Sequence, residues 1–551
     1  MNFYPIMDSG LCHQGGGVLY TLLNLKSMKM LVFAGALVCA LTYQASSQTN
    51  YDPDGTVNLA TNADPTFNPW SPNAFAESNL LNTLIFSSLT RWDRNFKPVP
   101  DLATSWKVSA DGLKWRFNLR KGVTWHDGVA FTAADVGFTF NDIALNQKLG
   151  ANHSGEYDPV SRVNIVNDYA VDFILKQPYA SLPSYLSYFV GILPKHKFAG
   201  VSDPWNFNAF NKEQPIGTGP FKLTRRVAGS VIELTRYENY WGGTPKVKTI
   251  VFKVIPDANA QLAQLLAGDL DLISLANANT VERVKSDKNL VVNAQTQNLY
   301  YWISLNQTDP RLTDVRVRQA LLYALDRPAM IKSILNGYGQ VATGPIAPVQ
   351  KAYYNNKVAK YPYDPEKARA LLKEAGWTPG PDGVLQKNGK PFVISMPTGS
   401  YQQLVPITLL VQQYWKSIGV TADIKTIEWN SYIQQVVVKR EYEASVAWWF
   451  TPADPDVLPY YAAAEAGGGY NIPGYKNPQL DKLLVAGRNV TSQKERVVIY
   501  NQAQELMANE LPYLYLWYPQ SLVAKNKRLN GLSNANLTSD FQSASHWYVS
   551  R

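Results

Sequence analysis

The stretch Pro100–Phe140, "PDLATSWKVSADGLKWRFNLRKGVTWHDGVAFTAADVGFTF", constrains the fold more than any other part of the chain. Within it, "SWKVS" and "KWRFNL" alternate apolar and polar residues with the period of a half-buried strand. Asp111-Gly112 between them is a strong hairpin signal, because glycine adopts positive φ without a Cβ clash. "WHDGVAF" (Trp125–Phe131) makes a second tight turn, and Thr132 is placed to cap a helix opening at Ala133. A helix-linked β meander of this kind forms one compact unit.

Around that unit, strand and helix signals alternate, as in a mixed α/β layer. "GTVNLATNADPTFNPW" (Gly55–Trp70) reads as a strand entering a Pro/Asn-rich loop. Residues 79–89 have helical apolar spacing. After Pro215, "GTGPFKLTRR", "SVIELTRYENYW" and "KTIVFKVIP" read as strands, and Asp257 caps a helix that stops at Gly268. "LYYWISLN" follows as a strand, and Asp314–Leu335 reads as one long amphipathic helix. "DPEKARALLKEAG" is another helix, and "FVISMP", "LLVQQYWKSIG" and "VTADIKTIEW" repeat strand–helix–strand. A last helix and strand close the chain in "KERVVIYNQAQELMANELPYLYLWYP".

The first fifty residues have a different character. Lys26 and Lys29 precede the apolar run Met30–Tyr43, with Ala45 and Ser47 at the small-residue positions of a cleavage site. These are the parts of a secretory signal peptide spanning 1–47, and residues 1–27 precede a natural start at Met28 or Met30. The apolar run is shorter than the roughly 20 residues of a membrane span. "ALVC", ending at Cys39, does not fit lipidation, so a cleaved, periplasmic product is expected. Both cysteines, Cys12 and Cys39, fall in the removed segment, leaving no disulfide and no thiol nucleophile. The net charge of +9 becomes +8 on export, and its lysines and arginines are scattered, so no nucleic-acid groove is indicated.

Chemistry-bearing motifs are sparse. His126, His153, His196 and His546 remain after export, and none has a partner at metal-ligand spacing, so no metal and no cofactor are implied. No G-x-S-x-G elbow exists. "GVLQKNGKP" (Gly383–Pro391) lacks the spacing of a phosphate loop and reads as a hairpin. "GTGPF" (Gly217–Phe221) precedes no helix. What stands out is aromatic content: 15 Trp and 32 Tyr, side chains suited to surfaces both apolar and able to hydrogen-bond. They concentrate in "AWWFTPADPDVLPYY" (Ala447–Tyr461). Asp454 and Asp456 there could serve as acid and base in an exported hydrolase, but Pro455 between them favours loop-capping carboxylates.

The order of four blocks is specific. Pro100–Phe140, "PIGTGPFKL" (Pro215–Leu223), "YWISLNQTDPRLTDVRVRQALLYALDR" (Tyr301–Arg327) and "YDPEKARALLKEAGW" (Tyr363–Trp377) closely resemble the family 5 extracellular solute-binding proteins. These are the peptide- and nickel-binding components of ABC importers. The resemblance covers the chain from about residue 55 to its end. It implies a two-lobed α/β clamp: a lobe I base from 48–76, 198–290 and 513–551, an inserted subdomain at 77–197, and lobe II at 291–512. Two crossing segments would form the hinge. Ligand would sit between the lobes of a monomer that delivers it, unaltered, to a permease and its ATPases.

In peptide-binding members an aspartate three residues after a tryptophan pairs with the ligand's α-ammonium group. Aligned on "DPD", that position is Thr451; counted from Trp449 it is Pro452. Only a shifted loop would bring Asp454 into the role. Peptide specificity is therefore in question, with an oligosaccharide- or opine-like solute as the alternative. Trp448 and Trp449 face opposite sides if the segment is extended, so one of them is expected at the cleft. The resemblance supplies further candidates: Asn62, Asp64 and Phe67 on the lobe I loop, Tyr301 and Asn306 on a lobe II strand, then Trp429, Tyr470 and Asn471.

Overall fold

Strand β1 (Thr56–Thr61) buries Val57, Leu59 and Thr61 and exposes more of the residues between them, as the alternation requires. It is one of ten strands in the main sheet of the computed structural model, which describes residues 50–551 apart from 75, 189, 277, 402, 452, 468, 534 and 535. The leader read at 1–47, and Pro452, lie outside the described residues. The remaining strands, numbered along the chain, are β2 (Phe221–Val227), β3 (Val231–Arg236), β4 (Thr249–Val254), β5 (Leu272–Ser274) and β6 (Leu290–Thr296). β7 (Leu299–Leu305), β8 (Gly339–Val341), β9 (Ala444–Phe450) and β10 (Tyr513–Asn526) complete the set. Their order is β9–β7–β10–β5–β1–β4–β3–β2, with β6 and β8 also pairing with β10.

β10 joins the two halves of the molecule. Its first part, Tyr513–Trp517, pairs with β7, and its second, Gln520–Asn526, pairs with β6. At about 3.3 Å per residue its 14 residues reach roughly 45 Å, enough to cross from one core to the other. Tyr513–Tyr518 pack in a core built from residues between 300 and 518, while Val523 belongs to a core drawn from residues between Val57 and Leu272 and from the C-terminal residues. Core membership thus changes within β10. The chain crosses in the other direction between β6 and β7, where the Gln297 N–H donates to the Pro519 carbonyl at 3.1 Å.

The β meander is the sheet Ala103–Val108, Lys114–Leu119, Ala170–Leu175, Val160–Asn167, all antiparallel. Gly112 has φ +73° at its turn, and Asp111 accepts from the Leu113 N–H. Thr132 caps the helix Ala133–Gly137 through a reciprocal box with Asp135. Gly383–Pro391 is a hairpin, Leu385–Lys387 against Lys390–Pro391.

Two expectations need correction. Asp314–Leu335 is two helices, Val315–Tyr323 and Arg327–Leu335, because Asp326 caps the second through the Ala329 N–H and Pro328 sits in its first turn. A proline there lacks the N–H needed to continue the ladder from the helix before. The helix expected over 79–89 is Ala76–Ile85. It ends where the Gly219 N–H takes the Ile85 carbonyl at 2.8 Å. At Gly217 a Cβ would stand 1.8 Å from that same oxygen, so "GTGPF" is a close backbone approach and not a ligand cradle.

Candidate binding cleft

β9 positions the aromatic pair. Ladder register sets Trp448 opposite Tyr301 and Trp449 opposite Tyr300 on β7, and alternation sends the two indoles to opposite faces. Trp448 lies parallel to Trp429, ring centres 5.5 Å apart and planes 8° from parallel, and stacks on Tyr401 at 5.4 Å. Trp429 stacks in turn on Tyr432 at 5.3 Å, and Tyr301 leans on Trp448 at 5.8 Å. The result is a deck of rings supported from behind by the buried Tyr432.

A cavity of about 500 Å³ opens against this deck, within the range of small-molecule sites. Tyr301, Tyr338, Gln403 and Trp448 form its wall on one side. The two crossing segments contribute Gln297, Leu299, Gln520 and Ser521, and Ser274 and Leu275 come from the end of β5. The cavity therefore lies beside the crossing segments, between the 300–518 core and a smaller cluster that includes Ile273 and Leu275. None of its lining residues among the described ones carries an Asp, Glu, Lys, Arg or His side chain. Burial, with a smaller contribution from Tyr401, pushes the Tyr301 hydroxyl up to about 12, so it stays a neutral donor and acceptor.

Trp449 belongs to a second cluster. It contacts Trp302 and Tyr460, meets Tyr470 edge-on at 5.7 Å, and donates from Nε1 to the Tyr513 hydroxyl at 3.2 Å. Tyr460 and Tyr470 line a larger hollow of about 840 Å³ with Asn152, His153, Tyr179 and Tyr185 from the segments flanking the last two strands of the meander.

Residues 97–471 match the bacterial extracellular solute-binding proteins, family 5 middle. The chain belongs to the family 5 bacterial extracellular solute-binding proteins. It is 32% identical over 457 residues to the oligopeptide-binding protein AppA of Bacillus subtilis, covering 82% of this chain and 84% of that one. It is 31% identical over 493 residues to the dipeptide-binding protein of Escherichia coli, covering 82% and 89% respectively. The solved structure of Bacillus subtilis AppA with a nonapeptide is similar at a TM-score of 0.73 and 30% identity, covering 90% of this chain and 99% of that one. The protein is thus the solute-binding component of an ABC transporter, with the two-lobed α/β fold of its relatives.

The cavity of this solute-binding protein brings together Tyr301 and Trp448, with Trp429 stacked on Trp448, while Tyr470 lines the other hollow and Trp449 packs against it. The remaining candidates are engaged elsewhere. Asp454 is buried, paired with Arg496 and accepting from the Ser181 hydroxyl at 2.8 Å. Asp456 is fully buried against Arg488 at 2.8 Å. Burial pushes the Asp456 carboxyl up while the Arg488 charge opposes it. Burial acts to lower Arg496, but Asp454 outweighs it and holds the guanidinium above its ordinary range. Both carboxylates are structural partners of arginines.

Thr451 is buried and turned to the crossing segment, its hydroxyl bonding Asn298 Oδ1 at 3.0 Å. Phe67 is a core residue, and Asp64 pairs with Arg226. Asn62 accepts from Gln261 at 2.8 Å, Asn306 donates to the Tyr442 carbonyl at 3.0 Å, and buried Asn471 donates to Tyr475 at 2.7 Å. Sequence reading missed Tyr338, Tyr401, Gln297, Gln403, Gln520 and Ser521. None carries a local motif: Gln297, Gln520 and Ser521 lie on the crossing segments, Tyr338 just before β8, and Tyr401 and Gln403 just after the strand Val393–Gly399.

Proposed function

We propose that the chain is an exported, monomeric receptor that captures a peptide or other small organic solute between its lobes and releases it chemically unaltered. Capture occurs in the periplasm after the leader is removed, and delivery is to a membrane permease driven by cytoplasmic ATPases. The observation that carries this reading is the position of the ring-walled cavity at the two crossing segments. A solute there touches both lobes, so contacts made only on closure shift the population toward the closed state. The relatives' peptide ligands support the solute class. Asp454 and Asp456, both engaged by arginines, argue against hydrolytic chemistry.

The test is native mass spectrometry of protein purified without denaturation, followed by small-angle scattering with the recovered cargo. A retained small molecule and a smaller radius on rebinding are the expected results. Conversion of the cargo to product, or an unchanged radius at saturation, defeats the reading.

A further inference from the structure

We infer that the solute held in this cavity is uncharged: a ring-bearing molecule edged with hydroxyl or amide groups, with no ionised amine or carboxylate inside. The inference rests on the receptor reading above and narrows its ligand. A cavity that accepts a zwitterionic free peptide needs an opposite charge for at least its ammonium end, because desolvating an unpaired ion costs several kcal/mol. Here the polar groups on the wall are the amides of Gln297, Gln403 and Gln520 and the hydroxyls of Ser274, Ser521, Tyr301 and Tyr338. Each amide and hydroxyl can both donate and accept. That dual capacity matches neutral hydroxyl and amide groups, and offers no net charge to either end of a free peptide.

The neighbouring charges are paired. Lys285 donates to the wall hydroxyl of Tyr338 at 3.2 Å, but its charge is matched by Glu282 at 3.0 Å. On the loop after β9, Asp454 and Asp456 face Arg496 and Arg488, and Thr451 is turned to Asn298. The apolar share of recognition falls to the Trp448 deck, whose flat face suits the CH face of a sugar ring or a planar side chain. Two sources offer this chemistry: a short neutral oligosaccharide, or a peptide whose ends are blocked or joined.

Calorimetry on the full mature chain separates them. Three probe sets are used: tripeptides with free ends, the same tripeptides N-acetylated and C-amidated, and neutral oligosaccharides of two to four units. Binding is expected in the second or third set, whichever holds the binder naming the source, with free-ended tripeptides at least about 30-fold weaker, equivalent to ~2 kcal/mol. Gln403→Glu should then narrow that gap by weakening the neutral ligand and strengthening the free amine. A free-ended tripeptide bound as tightly as its blocked form overturns the inference, as does an ionised cargo recovered from the cavity. Either result, if scattering still shows compaction, leaves the receptor reading intact. No binder in any set, with no cargo and no compaction, removes both.

Discussion

Trp448 and Trp449 are chemically identical neighbours, yet β-strand alternation gives them different surroundings. Trp448 faces the 500 Å³ cavity and Trp449 the Tyr460–Tyr470 cluster. Trp448→Ala is expected to weaken solute binding by at least tenfold with an unchanged thermal melt, whereas Trp449→Ala should weaken it less. Calorimetry with parallel melts checks both, and normal affinity in the two variants would defeat the assignment. Asp454→Asn leaves Arg496 without its buried partner and should destabilise the fold by about 3 kcal/mol or more, read from the urea midpoint.

His126 gives a pH test at the same scale. Its Nε2 meets the Gly219 carbonyl at 3.0 Å, and its Nδ1 accepts from the Gly217 N–H at 3.3 Å. This geometry requires the neutral ring. Burial pulls its pKa down to about 4. Between the ordinary value near 6.5 and 4, the unfolded chain binds the proton and the folded one does not. Stability from this group is therefore present above pH 6.5 and is lost as pH falls through the window, by about 3 kcal/mol in all. Asp101, pushed up to about 6 by burial, acts with the opposite sign. The difference between wild type and His126→Gln isolates the histidine; a pH-independent difference would refute it.

At the scale of elements, the helix Ala76–Ile85 and strand β2 are locked together by two glycines. Gly217→Ala should destabilise by more than an ordinary surface change, about 2 kcal/mol or above, since its Cβ would meet the backbone Ile85 oxygen. Urea unfolding of the variant, with wild-type affinity in the folded fraction, is the expected pair of results. The same scale shows what a linear reading sees. The Thr132 cap, the Asp111-Gly112 turn and the alternation in the meander are all local, and each was legible. The break between Tyr323 and Arg327 was written in Asp326 and Pro328, but the continuous apolar spacing across it hid the boundary.

Across the whole molecule, the segment that follows the meander touches the half built on residues 300–518 through polar and ring contacts. The Ala180 N–H donates to the Arg488 carbonyl at 2.8 Å, Ser181 reaches Asp454, and Tyr188 stacks on Phe450 at 6.0 Å. If solute draws these halves together, the Ala180 amide should exchange with solvent about tenfold more slowly when ligand is bound. Hydrogen exchange resolved to the 179–187 segment measures it; equal rates with and without ligand would mean that this contact does not follow closure.

The sequence by itself determined most of the elements, the family and the placing of the two indoles on opposite faces, because turns, caps and periodicity act over a few residues. Only tertiary structure decided which residues line the cavity. The cavity wall comes from β5, β7, β9 and β10 together with Gln297, Leu335, Tyr338 and Gln403 from the segments between elements and a helix end, positions far apart in sequence. Glutamine and serine mark no position until the fold sets them side by side. The tertiary fold also gave Asp454 and Asp456 their arginine partners, since only packing could show that both carboxylates would be buried and paired.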